Sequence, residues 1–167
     1  WVQMLISTTP TRCPNYGEEI RKKVNQYDSP VRVGVSSPYL TLDGLQKFSS
    51  DNSGNNWIDE CESQWIIGIN QGITTPSALR DLHSNPNTSL RVFLPRGEIT
   101  DGALKKEPHL HAKVIGTGSE SNYDQQSLII TSANITGSAM GETPTNYELG
   151  IHQSYPESFT RENIDQF

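Results

Sequence analysis

Cysteine is scarce: Cys13 and Cys61 are the only two in 167 residues. They stand far apart with no C-x-x-C spacing, which excludes a cysteine zinc site or a dithiol redox motif. A reduced chain in a cytoplasmic setting is expected rather than a disulfide framework. Long apolar runs are missing as well. No stretch approaches the roughly 18 apolar residues of a membrane-spanning helix, so no membrane partner is expected. Hydrophobic residues make up only 33% of the chain, and 13 glycines and 10 prolines imply generous loops. The length still suffices for one domain with a full core, and residues 1–167 read as one domain. The opening WVQMLISTTP has no basic segment, so it does not read as a secretory signal. Because the chain opens at Trp1 rather than Met, further residues upstream are expected. No internal repeat is visible.

Positive charge is also in short supply. Thirteen Lys and Arg against nineteen Asp and Glu give a formal charge of −6. That argues against a protein whose whole surface grips nucleic acid. A local excess survives between residues 91 and 113. There Arg91, Arg96, Lys105, Lys106 and Lys113 outnumber Glu98, Asp101 and Glu107.

Alternation and turn residues set the element order. Gly17–Tyr27 reads as a short helix with acids first and bases after them. VRVGVSS from Val31 reads as a strand ending in a Pro turn. Thr41 caps a helix in TLDGLQKF, and residues 49–56 form a polar loop. QWIIGI (64–69) reads as a strand buried on both faces. Thr75 caps a helix with Pro76 at its first position and Leu79 and Leu82 on one side. SLRVFLP (89–95) is another strand, and residues 96–107 a charged loop. Three apolar runs follow: LHAKVIG, SLIITSAN and YELGI. GTGSESNYDQQ joins the first two as a hairpin, and ITGSAMGETPTN holds a short helix. This order predicts an α/β domain, a mixed sheet flanked by helices on both faces.

The chemistry concentrates in those last runs. On a strand, residues i and i+2 share a face, so His111 and Lys113 are expected side by side, with His109 next in the row. Ser132 and Asn134 are expected to have the same relation. Imidazole can attack phosphorus or protonate a leaving oxygen. Lys113 supplies a point charge for non-bridging oxygens. Ser132 and Asn134 add neutral donors. Glu148 could accept the other ring N–H of a histidine and fix its tautomer. Tyr39, after the first Pro turn, is placed at the edge of the cleft. His109-x-His111 also has the form of a metal pair, but no third ligand stands at a supporting spacing, so no metal and no cofactor are expected. His83 and His152 read as structural or exposed, and Trp57 and Trp65 as packing residues.

H-x-K at His111 and Lys113, then Thr131-Ser132-Ala133-Asn134, then Asn146-Tyr147-Glu148-Leu149-Gly150, resembles the signature of the phospholipase D superfamily. The match is close over residues 109–150, and the order of elements agrees from residue 30. The usual motif has an Asp five residues after the Lys; here Gly118 stands there, and Asp124 reads as a loop residue. With one motif copy and that loss, the chain is most similar to the metal-independent nuclease branch, above all its restriction endonucleases. In those, a separate domain reads DNA. The resemblance implies catalysis by His111, Lys113, Asn134 and Glu148, with phosphate held by Lys113, Ser132 and Asn134. It implies a covalent phosphohistidine, DNA as substrate, and a homodimer whose two-fold axis joins two half-sites. Two other readings compete: a phospholipase or phosphatidyl transferase, and a catalytically silent module that binds nucleic acid and dimerises.

Overall fold

The structure is a computed structural model. It describes residues 2–6, 22, 31–50, 54–94, 99–100, 103–104, 109–119, 126–140 and 148–155. The predicted helix over Gly17–Tyr27 lies outside these residues except for Lys22, which is helical. Cys13, Asp124, Asn146 and Tyr147 also lie outside them.

Nine strands are described. They are β1 (Val2–Ile6), β2 (Val31–Ser37), β3 (Glu62–Gly68), β4 (Thr88–Phe93), β5 (Ile99–Thr100), β6 (Ala103–Leu104), β7 (Val114–Ser119), β8 (Gln126–Thr131) and β9 (Leu149–Tyr155). The helices are α1 (Leu42–Ser49), α2 (Trp57–Glu60), α3 (Pro76–Ser84) and α4 (Gly137–Met140). Seven strands form one mixed sheet in the order β1-β9-β8-β7-β2-β3-β4. The run β2-β3-β4 is parallel, and every other neighbour in the sheet is antiparallel. Strands β5 and β6 pair separately, so part of the expected charged loop is a small antiparallel ribbon.

Burial explains the register. Val35 lies opposite both Trp65 and Ile115, and Ile115 opposite Ile129. These four side chains share one face of the sheet and join the core with Leu45, Phe48, Ala78, Leu82 and Met140 from the helices. Among the described residues the helices therefore pack on that face. Phe48, Trp57 and Trp65 form its aromatic centre. Phe48 meets the two indoles edge-on at 5.2 and 5.9 Å, and the indoles stack at 6.3 Å. Each such pair adds about 0.5–1.5 kcal/mol beyond its area. The Trp57 indole N–H donates to the Phe48 carbonyl. Both tryptophans are thus packing residues, as expected. Cys61 is free and buried; burial, reinforced by Glu60, pushes its thiol up to about 12.

Several expectations need correction. β3 is not buried on both faces: its burial alternates, with Trp65 inside and Ile66 42% exposed. A strand whose other face is uncovered can carry isoleucine there, so a continuous apolar run does not prove two-sided burial. β1, absent from the sequence reading, closes one edge of the sheet against β9. The loop after α1 ends in the short helix α2, capped by the Asn56 side chain accepting from the Ile58 N–H. Thr41 does cap α1, accepting from the Gly44 N–H. Thr75 occupies the cap position of α3 without bonding its first-turn amides, and Pro76 stands at its start. Of the two readings of His152, structural or exposed, the first holds: it is buried within β9 and faces the core opposite Ile129. His83 is exposed in the last turn of α3.

Gly44 brings α1 close to the segment at Ile135 and Thr136. A Cβ there would lie 2.4 Å from the Ile135 carbonyl oxygen and from the Thr136 Cα. Gly44→Ala should therefore destabilise the fold by about 1–3 kcal/mol through overpacking. A lower urea midpoint at unchanged slope would register it.

Candidate active site

All the candidate residues lie at one end of the sheet. β2, β3 and β4 are parallel, so their carboxyl ends share an edge, where α/β sheets present ligand-binding loops. β7 and β9 run the other way and begin at that edge, and β8 ends there. His109 to Lys113 lead into β7, Ser132 and Asn134 follow β8, and Glu148 immediately precedes β9.

These residues do not lie on the strands, which corrects the expected row of side chains. β7 begins only at Val114. The chain before it is non-ladder backbone, so strand alternation does not set the relation of His111 to Lys113. Burial separates them instead. His109 and His111 are exposed, whereas Lys113 is 9% exposed. Ser132 and Asn134 likewise lie past the end of β8. Ser132 is exposed, and Asn134 is half-buried.

Backbone bonds hold the cluster. The Thr131 N–H donates to the Lys113 carbonyl at 3.0 Å, and the Ser132 N–H to the Leu149 carbonyl at 2.8 Å. Ser132 Oγ closes the junction by accepting from the Leu149 N–H at 3.0 Å and donating to Glu148 Oε2. Glu148 is 7% exposed, and among the described residues its side-chain partner is a serine rather than a histidine.

Lys113 Nζ donates to the His111 carbonyl at 3.2 Å. Lys113 and Glu148 make no direct ion pair among the described residues. Desolvation lowers the Lys113 pKa, and the negative field of Glu148 partly restores it. A largely buried ammonium with N–H groups to spare suits an arriving anion. Asn134 Oδ1 is buried without a hydrogen-bond partner among the described residues. Such an acceptor costs about 1–3 kcal/mol, which folding alone gives no reason to retain.

Two further residues position the loops. Ser37, buried, donates to the Tyr39 carbonyl at 2.8 Å and accepts from the Ile135 N–H at 3.4 Å. Thr74 donates to the Gly68 carbonyl at 2.6 Å and accepts from the Leu40 N–H at 3.2 Å. The sequence reading missed both roles, because a serine or threonine bonding across a long sequence separation leaves no local pattern. Tyr39 does lie at this edge, half-buried. Gly68 admits the neighbouring loops: a Cβ there would meet the Pro38 carbonyl oxygen at 2.8 Å and the Leu110 side chain at 3.4 Å. Among the described residues no group of three or more His, Cys, Asp or Glu is placed to hold a metal ion.

No family model and no curated protein matches the chain. Solved structures do. NucT from Helicobacter pylori superposes with a TM-score of 0.59 at 15% identity, over 99% of this chain and 89% of that one. A mutant of the yeast tyrosyl-DNA phosphodiesterase gives 0.51 at 14% identity, over 99% of this chain and 37% of that one. The chain thus shares the α/β fold of these solved structures, a mixed sheet with flanking helices.

The Lys113 environment has a pH consequence. Its folded pKa lies below the ordinary lysine value, so it discharges earlier on the alkaline side. Binding of inorganic phosphate, followed by calorimetric titration, should weaken as pH climbs towards that ordinary value. Lys113→Arg, always protonated, should carry binding to higher pH. An unchanged alkaline limb in the variant would assign the titration elsewhere.

Proposed function

We propose that this chain hydrolyses phosphodiester bonds of DNA without a metal, as the catalytic domain of a restriction endonuclease. The observation that carries the reading is the meeting of His111, Lys113, Ser132, Asn134 and Glu148 at one sheet edge, in a fold shared with a protein named as a phosphodiesterase acting on tyrosyl-DNA.

In the proposed reaction a His111 nitrogen attacks phosphorus. A P–N bond forms as the P–O bond to the leaving group breaks, and a second imidazolium protonates the departing oxygen. The second imidazole then takes a proton from water, whose oxygen displaces the histidine and completes hydrolysis. Lys113 and the Asn134 amide hold the non-bridging oxygens while charge builds on them. The second imidazole comes from a second copy across a two-fold axis. Two features support this. His111 is exposed, so its own chain does not enclose it. Ile130, Leu149 and Ile151 stand about half exposed beside the site, and a second copy would cover them.

The decisive experiment is plasmid cleavage in EDTA. Nicking should persist in EDTA and vanish in His111→Ala, and Lys113→Ala should lower turnover by about 10²-fold or more. Cleavage that requires added metal would overturn the mechanism. Sedimentation should show a dimer under the assay conditions, and full activity in a monomer would sink the shared site.

A further inference from the structure

Among the described residues the helices pack on only one face of the sheet. On the other face the register sets out two rows between β2 and β9. One runs Ser36, Val114, Ile130 and Ile151; the next runs Gly34, Gly116, Leu128 and Gln153. Neither row holds a charge. Ile130 and Ile151 stand 53% and 48% exposed. Gly34 and Gly116 are direct cross-strand partners near the middle of the seven strands. They line a hollow of about 310 Å³.

The backbone does not require glycine at either position. Neither has a positive φ. Among the described residues a Cβ on either would meet nothing within 4 Å. Glycine inside a strand weakens it, and often marks a place where another backbone or a ligand comes close. The face thus carries an apolar ridge on β8 and β9 and, beside it, a trough on β7 and β2.

We infer that this face is the contact surface for a second copy of the chain, with the two sheets stacked about a two-fold axis that runs along the strands between β7 and β8. The inference deepens the shared-site reading and rests on it. Stacking identical faces confines the axis to the plane between them. An axis across the strands would send the two active edges to opposite ends. An axis along the strands keeps both edges at one end, with the sheets about 10 Å apart. Placed between β7 and β8, it sets β8 of each copy over β7 of the other, and β9 over β2. Leu128 of one copy then faces Gly116 of the other, Ile130 faces Val114, and Ile151 faces Ser36. Ridge meets trough twice, as a self-complementary two-fold contact demands. β7 flanks the axis in both copies, so the segments holding His111 and Lys113 leave the two sheets side by side. Six strands of each copy overlap. At about 4.8 Å per strand and 3.3 Å per residue they span roughly 29 Å by 20 Å. That is close in scale to the roughly 800 Å² per partner of a standard interface.

Sedimentation of the full chain tests the surface, and the parent should be a dimer. Gly116→Glu and Leu128→Lys should each raise the dimer dissociation constant by about a hundredfold or more, because each sets an unpaired charge in an apolar contact. Mixed together, the two variants should recover a dimer: one contact then pairs the new acid with the new base, and the other is unaltered. Plasmid cleavage should fall in each variant and return in the mixture. Circular dichroism melts check that both variants fold, and the open space at Gly116 admits a side chain. A parent that is monomeric at every concentration, or a mixture of monomeric variants that stays monomeric, would overturn the inference. Dimers that survive both substitutions with parent activity would overturn this surface and leave the shared site standing. Monomeric variants that cleave at the parent rate, yet recover a dimer on mixing, would keep the surface and overturn the shared site.

Discussion

The register of β7, β8 and β9 is the constraint on which the site depends. Ile115 must face Ile129, and Ile129 must face His152, for the core face to close. A slip of one residue between any pair would turn an entire strand inside out, exposing the isoleucines and burying Gly116 or Leu128 in their place. Burial on one face therefore fixes the pairing. The pairing in turn fixes which residues leave each strand at the shared edge. Lys113 arrives just before β7, Ser132 just after β8 and Glu148 just before β9 because their strands cannot shift. Just beyond the strands, the Thr131–Lys113 and Ser132–Leu149 backbone bonds join the three departing segments, and Ser132 Oγ extends that link to the carboxylate.

Charge is arranged along the same edge with unequal exposure. Lys113 and Glu148 are both nearly covered, yet they do not pair directly. Each has a neutral partner, the His111 carbonyl for one and the Ser132 hydroxyl for the other. A direct buried ion pair would satisfy both charges and leave little for a ligand. Desolvation by burial lowers the Lys113 pKa, and the Glu148 charge, without a direct ion pair, offsets that only in part. An anion entering between Lys113 and the exposed histidines would gain the interaction that the carboxylate does not supply.

Much of this was legible in the sequence, and the reasons differ by element. The strands β2, β4, β7 and β8 and the helices α1 and α3 follow from alternation, Thr41, Pro76 and the turn residues, all local signals. The partners at the site follow from H-x-K, S-x-N and N-x-E-L-G, whose order brings three distant segments to one edge. Strand geometry, however, gave the wrong reason for their proximity. His111 and Lys113 precede the ladder, and backbone leaving a strand does not obey its alternation. β3 was misread because two-sided burial depends on what covers the second face, which the run QWIIGI cannot encode. Ser37 and Thr74 were missed because their bonds join loops that only the fold brings together.

Those two buried hydroxyls tie the active edge to the core. Ser37 links the carboxyl end of β2 to the segment after Asn134, and Thr74 links the end of β3 to Leu40. Gly44 lets α1 press against that same segment at Ile135 and Thr136. The loop carrying Asn134 is thus held from the sheet side by Ser37 and from the helix side by α1. Mobile loops would have to be ordered by substrate, and that ordering would be drawn from binding free energy. Here the aromatic core under α1 supplies the ordering before any ligand arrives. In the proposed reaction, preorganised donors are most effective in that condition, because they need no rearrangement when charge develops on phosphorus. Tyr39 shares the same anchors through Ser37 and Leu40. The Tyr39 backbone and the segment after Asn134 are thus tied to one buried hydroxyl.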